Sequence, residues 1–377
     1  MTKTLKPGGT IGIIGGGQLG QMMALSAKTM GFRVGVLDPT ADCPASQVAD
    51  WLIQGSYDDD EKLEELGRQS DVLTYEFENI DSRALNKPTL LNKLPQGLRL
   101  LEISQNRQRE KECLNGLGLP TAAYCVVNAP SDLKKAIEII GFPCVLKTCE
   151  GGYDGKGQIV LDGMSSFEEA SKLCEHRSCV LEEWLTFDKE VSVVISGNEQ
   201  GEYSTFPLAE NEHHQNILYR SIVPAGITEK CKRECVAIGL SIAKALGSVG
   251  TIAVELFITR EERIIVNEIA PRPHNSGHYS LEACSMSQFD AHIRGICGWG
   301  MPEVVLFSDV VMYNLIGEEQ TRSFDYLNVK KEWFFHYYGK NELKKGRKMG
   351  HITILSESIR ETLEEVERTT IWKTERK

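Results

Sequence analysis

Short apolar runs bounded by glycine and proline alternate with segments of helical period along this chain. Thr10–Ile14 is an apolar strand, 15–20 (GGGQLG) a tight turn, 21–30 a helix and Arg33–Asp38 a second strand, together a βαβ opening. Residues 71–78 (DVLTYEFE) form a later parallel strand, whose acidic end lies where an open α/β sheet presents groups to a ligand. A charged stretch, 104–114, reads as a linking helix closed by 116–120 (GLGLP). Strands and helices then mix: helix 132–140, strands 142–148 and 158–162, helix 166–175, strands 180–185 and 190–196. Glu229–Leu246 carries a helical stripe of Cys235, Ile238, Ile242 and Ala245, and strands 251–258 and 264–269 follow, joined through 260–263. Past residue 300 come aromatic strand residues (EWFFHYY), a basic turn at 344–348, and a final helix from Ser358 with Ile359, Leu363 and Val366 on one face. The pattern predicts an α/β and α+β protein in three parts: 1–103, 104–298 with a smaller subdomain at about 120–185, and 299–377.

At 377 residues, 41% hydrophobic and 25% charged, the chain has enough apolar material for two or three soluble domains. No run approaches the roughly 18 apolar residues of a membrane span. Residues 1–9 lack a signal-peptide core, so a cytoplasmic protein away from membranes is expected. The 11 cysteines are odd in number and form no Cys-x-x-Cys pair, which fits reduced, buried thiols. A net charge of −11 argues against a nucleic-acid partner, so any anionic ligand must be held by local basic clusters.

The sharpest such place is 151–157 (GGYDGKG), four glycines and Lys156 between two strands. Glycines let backbone N–H groups approach phosphoryl oxygens, and the lysine adds a cation. No Gly-Lys-Ser/Thr ending and no following helix are present, so this is not a Walker A loop. It is either a strand-loop-strand cover over ATP or an exposed glycine-rich hairpin. Lys147, ending the strand before it, and Arg107 in the linking segment are positioned to add charge. Glu182, Glu183, Trp184 and Leu185, with Glu190 after them, offer a backbone hinge for a purine and a carboxylate for a ribose.

Glu255 and Glu268 flank the 260–263 turn, and a symmetric hairpin centred between Glu261 and Glu262 places them opposite each other. Like charges so opposed call for a cation, and with Asn267 adjoining, the oxygen donors suit Mg²⁺, with Mn²⁺ the alternative. The segment 271–278 (PRPHNSGH) follows, where two prolines fix an extended path that projects Arg272, His274 and Asn275 beside the metal; a structural turn holding one histidine is the other reading. His213 and His214 pose the same question. The GGGQLG turn with Asp38 after it has the form of a dinucleotide site, though any tightly packed βαβ turn selects the same glycines.

These pieces in this order resemble the ATP-grasp superfamily. At closer range, the motifs at 74–79 (TYEFEN), 151–158, 267–272 (NEIAPR), 274–278 and 346–351 (GRKMGH) are similar to the N5-carboxyaminoimidazole ribonucleotide synthases over nearly the whole chain. The resemblance implies an ATP-grasp fold with an N-terminal Rossmann-like domain and a small β-rich C-terminal lobe. It implies an ATP-dependent ligase that carboxylates aminoimidazole ribonucleotide with bicarbonate, through carboxyphosphate, in purine biosynthesis. ATP would touch Arg107, Lys147, Gly152, Tyr153, Asp154, Gly155, Lys156, Gly157, Gln158, Glu182 to Leu185, Glu190, His213, Asn267 and Glu268. Glu255, Glu268 and Asn267 would hold Mg²⁺. Gln18, Leu19, Glu76, His274, Asn275, Arg347 and Lys348 would hold the ribonucleotide, and Tyr153, Asp154, Lys156, Arg272 and His274 would serve the chemistry. A homodimer and a separate mutase taking the product are implied as well. Another ATP-grasp carboxylate-amine ligase and an NAD-dependent dehydrogenase remain the alternatives.

Overall fold

A computed structural model describes residues 4–152 and 157–372. Tyr153, Asp154, Gly155 and Lys156 of the glycine-rich loop lie outside the described residues.

Strands β1 (Thr10–Ile14), β2 (Arg33–Asp38), β3 (Trp51–Gln54) and β4 (Val72–Tyr75) form a parallel sheet in the order β3-β2-β1-β4. Both faces are covered, which is why these strands read as continuous apolar runs. Ile11, Ile13, Val34 and Val36 pack on Met23, Ala24 and Ala27 of the helix Gln18–Thr29, while Ile14, Leu37 and Leu73 meet Leu63 and Leu66 of the helix Asp60–Gln69. The first helix begins three residues before the predicted start, with Gly17 at its N-cap.

The linking segment is two helices, Arg99–Ser104 and Arg107–Gly116, and not one. Asn106 makes the break: its side-chain oxygen accepts the N–H of Arg109 at 3.1 Å and caps the second helix. That cap puts Arg107 at the helix start and turns Glu110, Lys111 and Leu114 inward.

A four-stranded sheet, order β5-β8-β6-β7, carries the glycine-rich loop between β6 (Cys144–Thr148) and β7 (Gln158–Leu161); β5 is Tyr124–Val127 and β8 Cys179–Glu183. The helices Pro130–Ile140 and Phe167–Leu173 close its apolar face over Leu146 and Leu181.

The remaining strands are β9 (Lys189–Gly197), β10 (Tyr203–Thr205), β11 (Ala209–His214), β12 (Ile217–Val223), β13 (Gly250–Ile258), β14 (Ile264–Ala270), β15 (Asp309–Ile316), β16 (Trp333–Tyr337) and β17 (Lys348–Ser356). They form a nine-stranded sheet, order β14-β13-β9-β11-β12-β15-β17-β16, with β10 on β9. Pairing of β12 with β15 continues the sheet into the chain beyond residue 300. The helix Glu229–Leu246 packs on β9 and β13 through Cys231, Cys235, Gly239, Ile242, Ala243 and Leu246. Ala245, placed on the stripe by spacing, is exposed instead. Gly239 lets the helix pack tightly on the sheet, since a Cβ there would meet Ile195 Cδ1 at 2.8 Å. Among the described residues no helix is long and apolar enough to cross a membrane.

Candidate active site

β13 and β14 bring Glu255 directly opposite Glu268, by a route that differs from the symmetric hairpin. Ile258 pairs with Ile264 and Leu256 with Val266, so without an irregularity Glu255 would face Asn267. A bulge at Asn267 shifts the register by one and delivers Glu268 instead; such bulges re-aim side chains at functional sites. Glu255 is only 6% exposed. Burial first, then the charges of Glu268 and Glu190, push its carboxyl well above the usual range. An opposed pair of carboxylates, hard oxygen donors, fits a divalent cation that takes its other ligands from phosphates and water. Among the described residues no cluster of three His, Cys, Asp or Glu ligands is found.

Two groups flank the pair. Arg107 Nη1 lies 3.5 Å from Glu268 Oε2, and His274 Nε2 lies 3.3 Å from Glu255 Oε1. Glu110, one turn along from Arg107, accepts the N–H of Ile269 at 2.7 Å and so anchors the strand beside Glu268. Burial, then the Glu268 charge, raises Glu110 to about 8. His274 is held well below the usual imidazole range, by burial first and then by Arg272 and Lys348.

At the lid hinge, Lys147 Nζ is 2.9 Å from Glu182 Oε2 while Lys111 Nζ is 3.3 Å from Glu182 Oε1. Burial works to raise Glu182, but Lys147, Lys111 and Arg107 outweigh it and hold the carboxyl below its usual range. Glu182 therefore tethers Lys147 near the end of β6. Glu183 points elsewhere and accepts the N–H of Ala123 at 2.8 Å. Trp184 is half-exposed and Leu185 partly buried, just past the end of β8. Glu190 Oε2 sits 3.1 Å from His213 Nδ1, which brings together two residues 23 apart in sequence; His214 is exposed beside Glu212. Gly152, Gly157 and Gln158 stand at the two feet of the loop, where Thr148 N–H donates to Gly157 O at 2.9 Å.

At the edge of the first sheet the glycine turn is already occupied. Glu76 accepts the N–H groups of Gly17 and Gly20, each at 2.8 Å, and Asp38 accepts that of Gly16 at 2.7 Å and the Tyr57 hydroxyl at 2.6 Å. A dinucleotide pyrophosphate would have to displace two protein carboxylates, so the helix N-terminus is a folding device and not a nicotinamide site. Gln18 starts that helix, half-buried, whereas the Leu19 side chain is in the core and leaves only its backbone for a ligand.

Arg272 grips Glu78 bidentately, Nη2 to Oε1 at 2.9 Å and Nε to Oε2, joining the 271–278 segment to the end of the first sheet. Lys348 lies close enough for its charge to favour the ionised forms of both Glu78 and Glu255, although Glu255 stays raised by burial and its acidic neighbours. Arg347, in the same turn, accepts the N–H of Gly317 on its carbonyl. Asn275 faces away: its amide makes a reciprocal pair with Asn314, at 3.0 and 2.5 Å, in the core. Glu78 is one of the two acidic residues that end the 71–78 strand pattern, whereas Glu110 and Lys111 carry no sequence signal of their own. Lys111 follows Arg107 by one helical turn, a spacing that carries the signal once the helix start at Arg107 is fixed.

Family models match the chain in order: a ribonucleotide synthetase preATP-grasp domain over 9–101, an ATP-grasp domain over 112–289, and a phosphoribosylaminoimidazole carboxylase C-terminal domain over 310–365. The N5-carboxyaminoimidazole ribonucleotide synthase of Bacillus subtilis is 47% identical over 360 residues, covering 96% of this chain and 95% of that protein. The chain belongs to the N5-carboxyaminoimidazole ribonucleotide synthase family. The synthase of Staphylococcus epidermidis is 48% identical over 95% of each chain. Among solved structures, an ADP complex of such a synthetase superposes with a TM-score of 0.95 at 49% identity, covering 99% of both chains. A synthase from Aspergillus clavatus in complex with ADP and 5-aminoimidazole ribonucleotide superposes at 0.88 with 28% identity, over 96% of this chain and 97% of that one. The family's ATP-grasp architecture is thus present from the first sheet to the last strands.

Proposed function

We propose that this chain carboxylates 5-aminoimidazole ribonucleotide with bicarbonate and ATP, giving N5-carboxyaminoimidazole ribonucleotide, ADP and phosphate, a step of purine biosynthesis. The observation that carries the reading is a row of three cations, each tethered by a carboxylate. Lys147 on Glu182, Arg107 on Glu268 and Arg272 on Glu78 run from the lid hinge to the edge of the first sheet. Nucleotide phosphates suit one end of such a row and a small amine substrate the other.

Bicarbonate is a poor electrophile because hydroxide leaves badly. One of its oxygens attacks the γ-phosphorus of ATP, the bond to ADP breaks, and carboxyphosphate forms. It separates into CO₂ and phosphate, and the substrate's amine closes a nitrogen–carbon bond to CO₂ before water disperses it. Nothing is bonded to the protein, so its contribution is position and charge. Lys147 and Arg107 would steady the β- and γ-phosphates, Glu190 with His213 the ribose, and the hinge at Glu183 to Leu185 the base. Glu255, Glu268 and Asn267 would hold Mg²⁺, which when bound neutralises phosphate charge and polarises the transferred group. Arg272, held by Glu78, would face the phosphate as it leaves the carboxyl carbon. Arg347 and Lys348 would take the ribonucleotide's phosphate, with Gln18, the Leu19 backbone and the Glu76 turn beside its ring.

Tyr153, Asp154, Gly155 and Lys156 are proposed to enclose carboxyphosphate on the strength of their motif. A homodimer and transfer of the product to a separate mutase are proposed from family likeness. ADP release should require both the aminoimidazole ribonucleotide and bicarbonate, measured by a coupled NADH assay over a panel of amines. Equal release with formate or an amino acid in place of bicarbonate would sink the assignment.

A further inference from the structure

A row of polar side chains is buried behind the metal hairpin. Ser192 on β9, Asn211 on β11, Ser221 on β12 and Ser276 in the turn Asn275–Gly277 are all buried. They form one continuous chain of hydrogen bonds. Ser221 Oγ donates to Asn211 Oδ1 at 2.8 Å, Asn211 Nδ2 to Ser192 Oγ at 3.0 Å, and Ser192 Oγ to Ser276 Oγ at 2.7 Å. Ser276 Oγ then stands 2.8 Å from Nδ1 of His274. Across the ring, Nε2 faces Glu255 Oε1.

Buried hydroxyls and amides cost stability unless each finds a partner, so four in a row ending on one imidazole call for a reason beyond packing. The backbone supplies the polarity. Ser276 N–H points at His274 Nδ1 at 3.4 Å, and a backbone N–H can only donate. Nδ1 must therefore present its lone pair, which leaves the proton of the neutral ring on Nε2, toward Glu255. Gln288 fixes the main chain of the same residue, accepting its N–H at 2.8 Å and donating to its carbonyl at 2.6 Å. Ring orientation is left to Ser276.

We propose that Ser276, backed by Ser192 and Asn211, is a positioning residue that locks His274 as the Nε2–H tautomer, so that the ring donates to Glu255 and sets that carboxylate's direction. The inference rests on the reading above only in taking Glu255 as a ligand of the cation. It also gives His274 a supporting part: with Nδ1 turned to Ser276 and Nε2 carrying its proton to Glu255, the ring has no lone pair for the substrate amine. The amine's proton then goes to an oxygen of the phosphate released from carboxyphosphate.

Long-range ¹H–¹⁵N correlation spectra of [¹⁵N]histidine-labelled protein at pH 8 test this directly, with His274 assigned by its loss in His274→Gln. The expected wild-type spectrum has the unprotonated nitrogen at Nδ1 and the proton on Nε2. In Ser276→Ala the His274 pattern should move toward mixed tautomers, with kcat lowered about tenfold and KM for ATP changed less than about twofold, in line with outer ligands of metal sites. Ser192→Ala keeps the turn itself intact and should shift both readouts the same way by a smaller factor. A wild-type proton on Nδ1 overturns the inference, as do both variants leaving spectrum and kcat unchanged. The spectra need no turnover, so failure of the carboxylation reading and failure of this one are told apart.

Discussion

Glu255→Gln should slow carboxylation-linked ADP formation by about 10³-fold, roughly 4 kcal/mol of barrier, while making the ligand-free protein more stable. The amide keeps the shape of the side chain and loses the charge that would hold a cation. Without a cation, however, that charge is a burden, because Glu255 is buried against Glu268 and Glu190. Its folded-state pKa lies above the ordinary value of 4.5, so the folded protein retains a proton that the unfolded chain releases. Stability then falls as pH rises from about 4.5 through the folded pKa. Glu110, raised to about 8, adds a loss of the same sign over that window. Thermal melts of ligand-free protein at pH 5 and pH 8.5 should show wild type and Glu255→Gln close together at the lower pH and the variant ahead at the higher. Mg²⁺ with nucleotide should stabilise wild type more than the variant. A fully active variant would remove Glu255 from the metal site.

Arg272→Met is the second large effect, and it should strike stability and turnover together. The guanidinium and Glu78 form a bidentate pair between two parts of the chain, with side chains only 17% and 28% exposed. Removing the guanidinium leaves Glu78 partly buried with only Lys348 nearby, a loss of about 3 kcal/mol, at the low end for a buried pair. Glu78→Leu combined with Arg272→Met should recover much of that stability, since no lone charge remains, yet stay inactive because the cation proposed to face carboxyphosphate is still missing. Urea unfolding and ADP release on the two single variants and the double variant provide the cycle. Recovery of turnover in the double variant would assign Arg272 to folding alone.

The arrangement of apolar runs made the βαβ opening, the lid strands and the acidic hairpin legible, because each is a local pattern with its own period. The opposition of Glu255 and Glu268 was legible in outcome but not in cause: counting from the turn presumes regular pairing, and the bulge at Asn267 is a property of the folded ladder. Glu76 was legible as a strand-end carboxylate, whereas its use in capping Gly17 and Gly20 depends on a contact 56 residues or more along the chain. The same holds for Ser276 and Ser192, 84 residues apart, and for β12 with β15, whose pairing no local pattern announces. Nothing in the charged linking stretch marks Lys111 and Glu110 as inward-facing. Only the break at Asn106 turns that helix face inward.

Oxygen transfer from bicarbonate is the most direct test of the central claim, that ATP is spent on phosphorylating bicarbonate before the amine is carboxylated. With [¹⁸O]bicarbonate, ATP and aminoimidazole ribonucleotide, mass spectrometry of the released phosphate should show one bicarbonate oxygen in each phosphate formed. Carboxylated product accompanied by unlabelled phosphate would contradict the account.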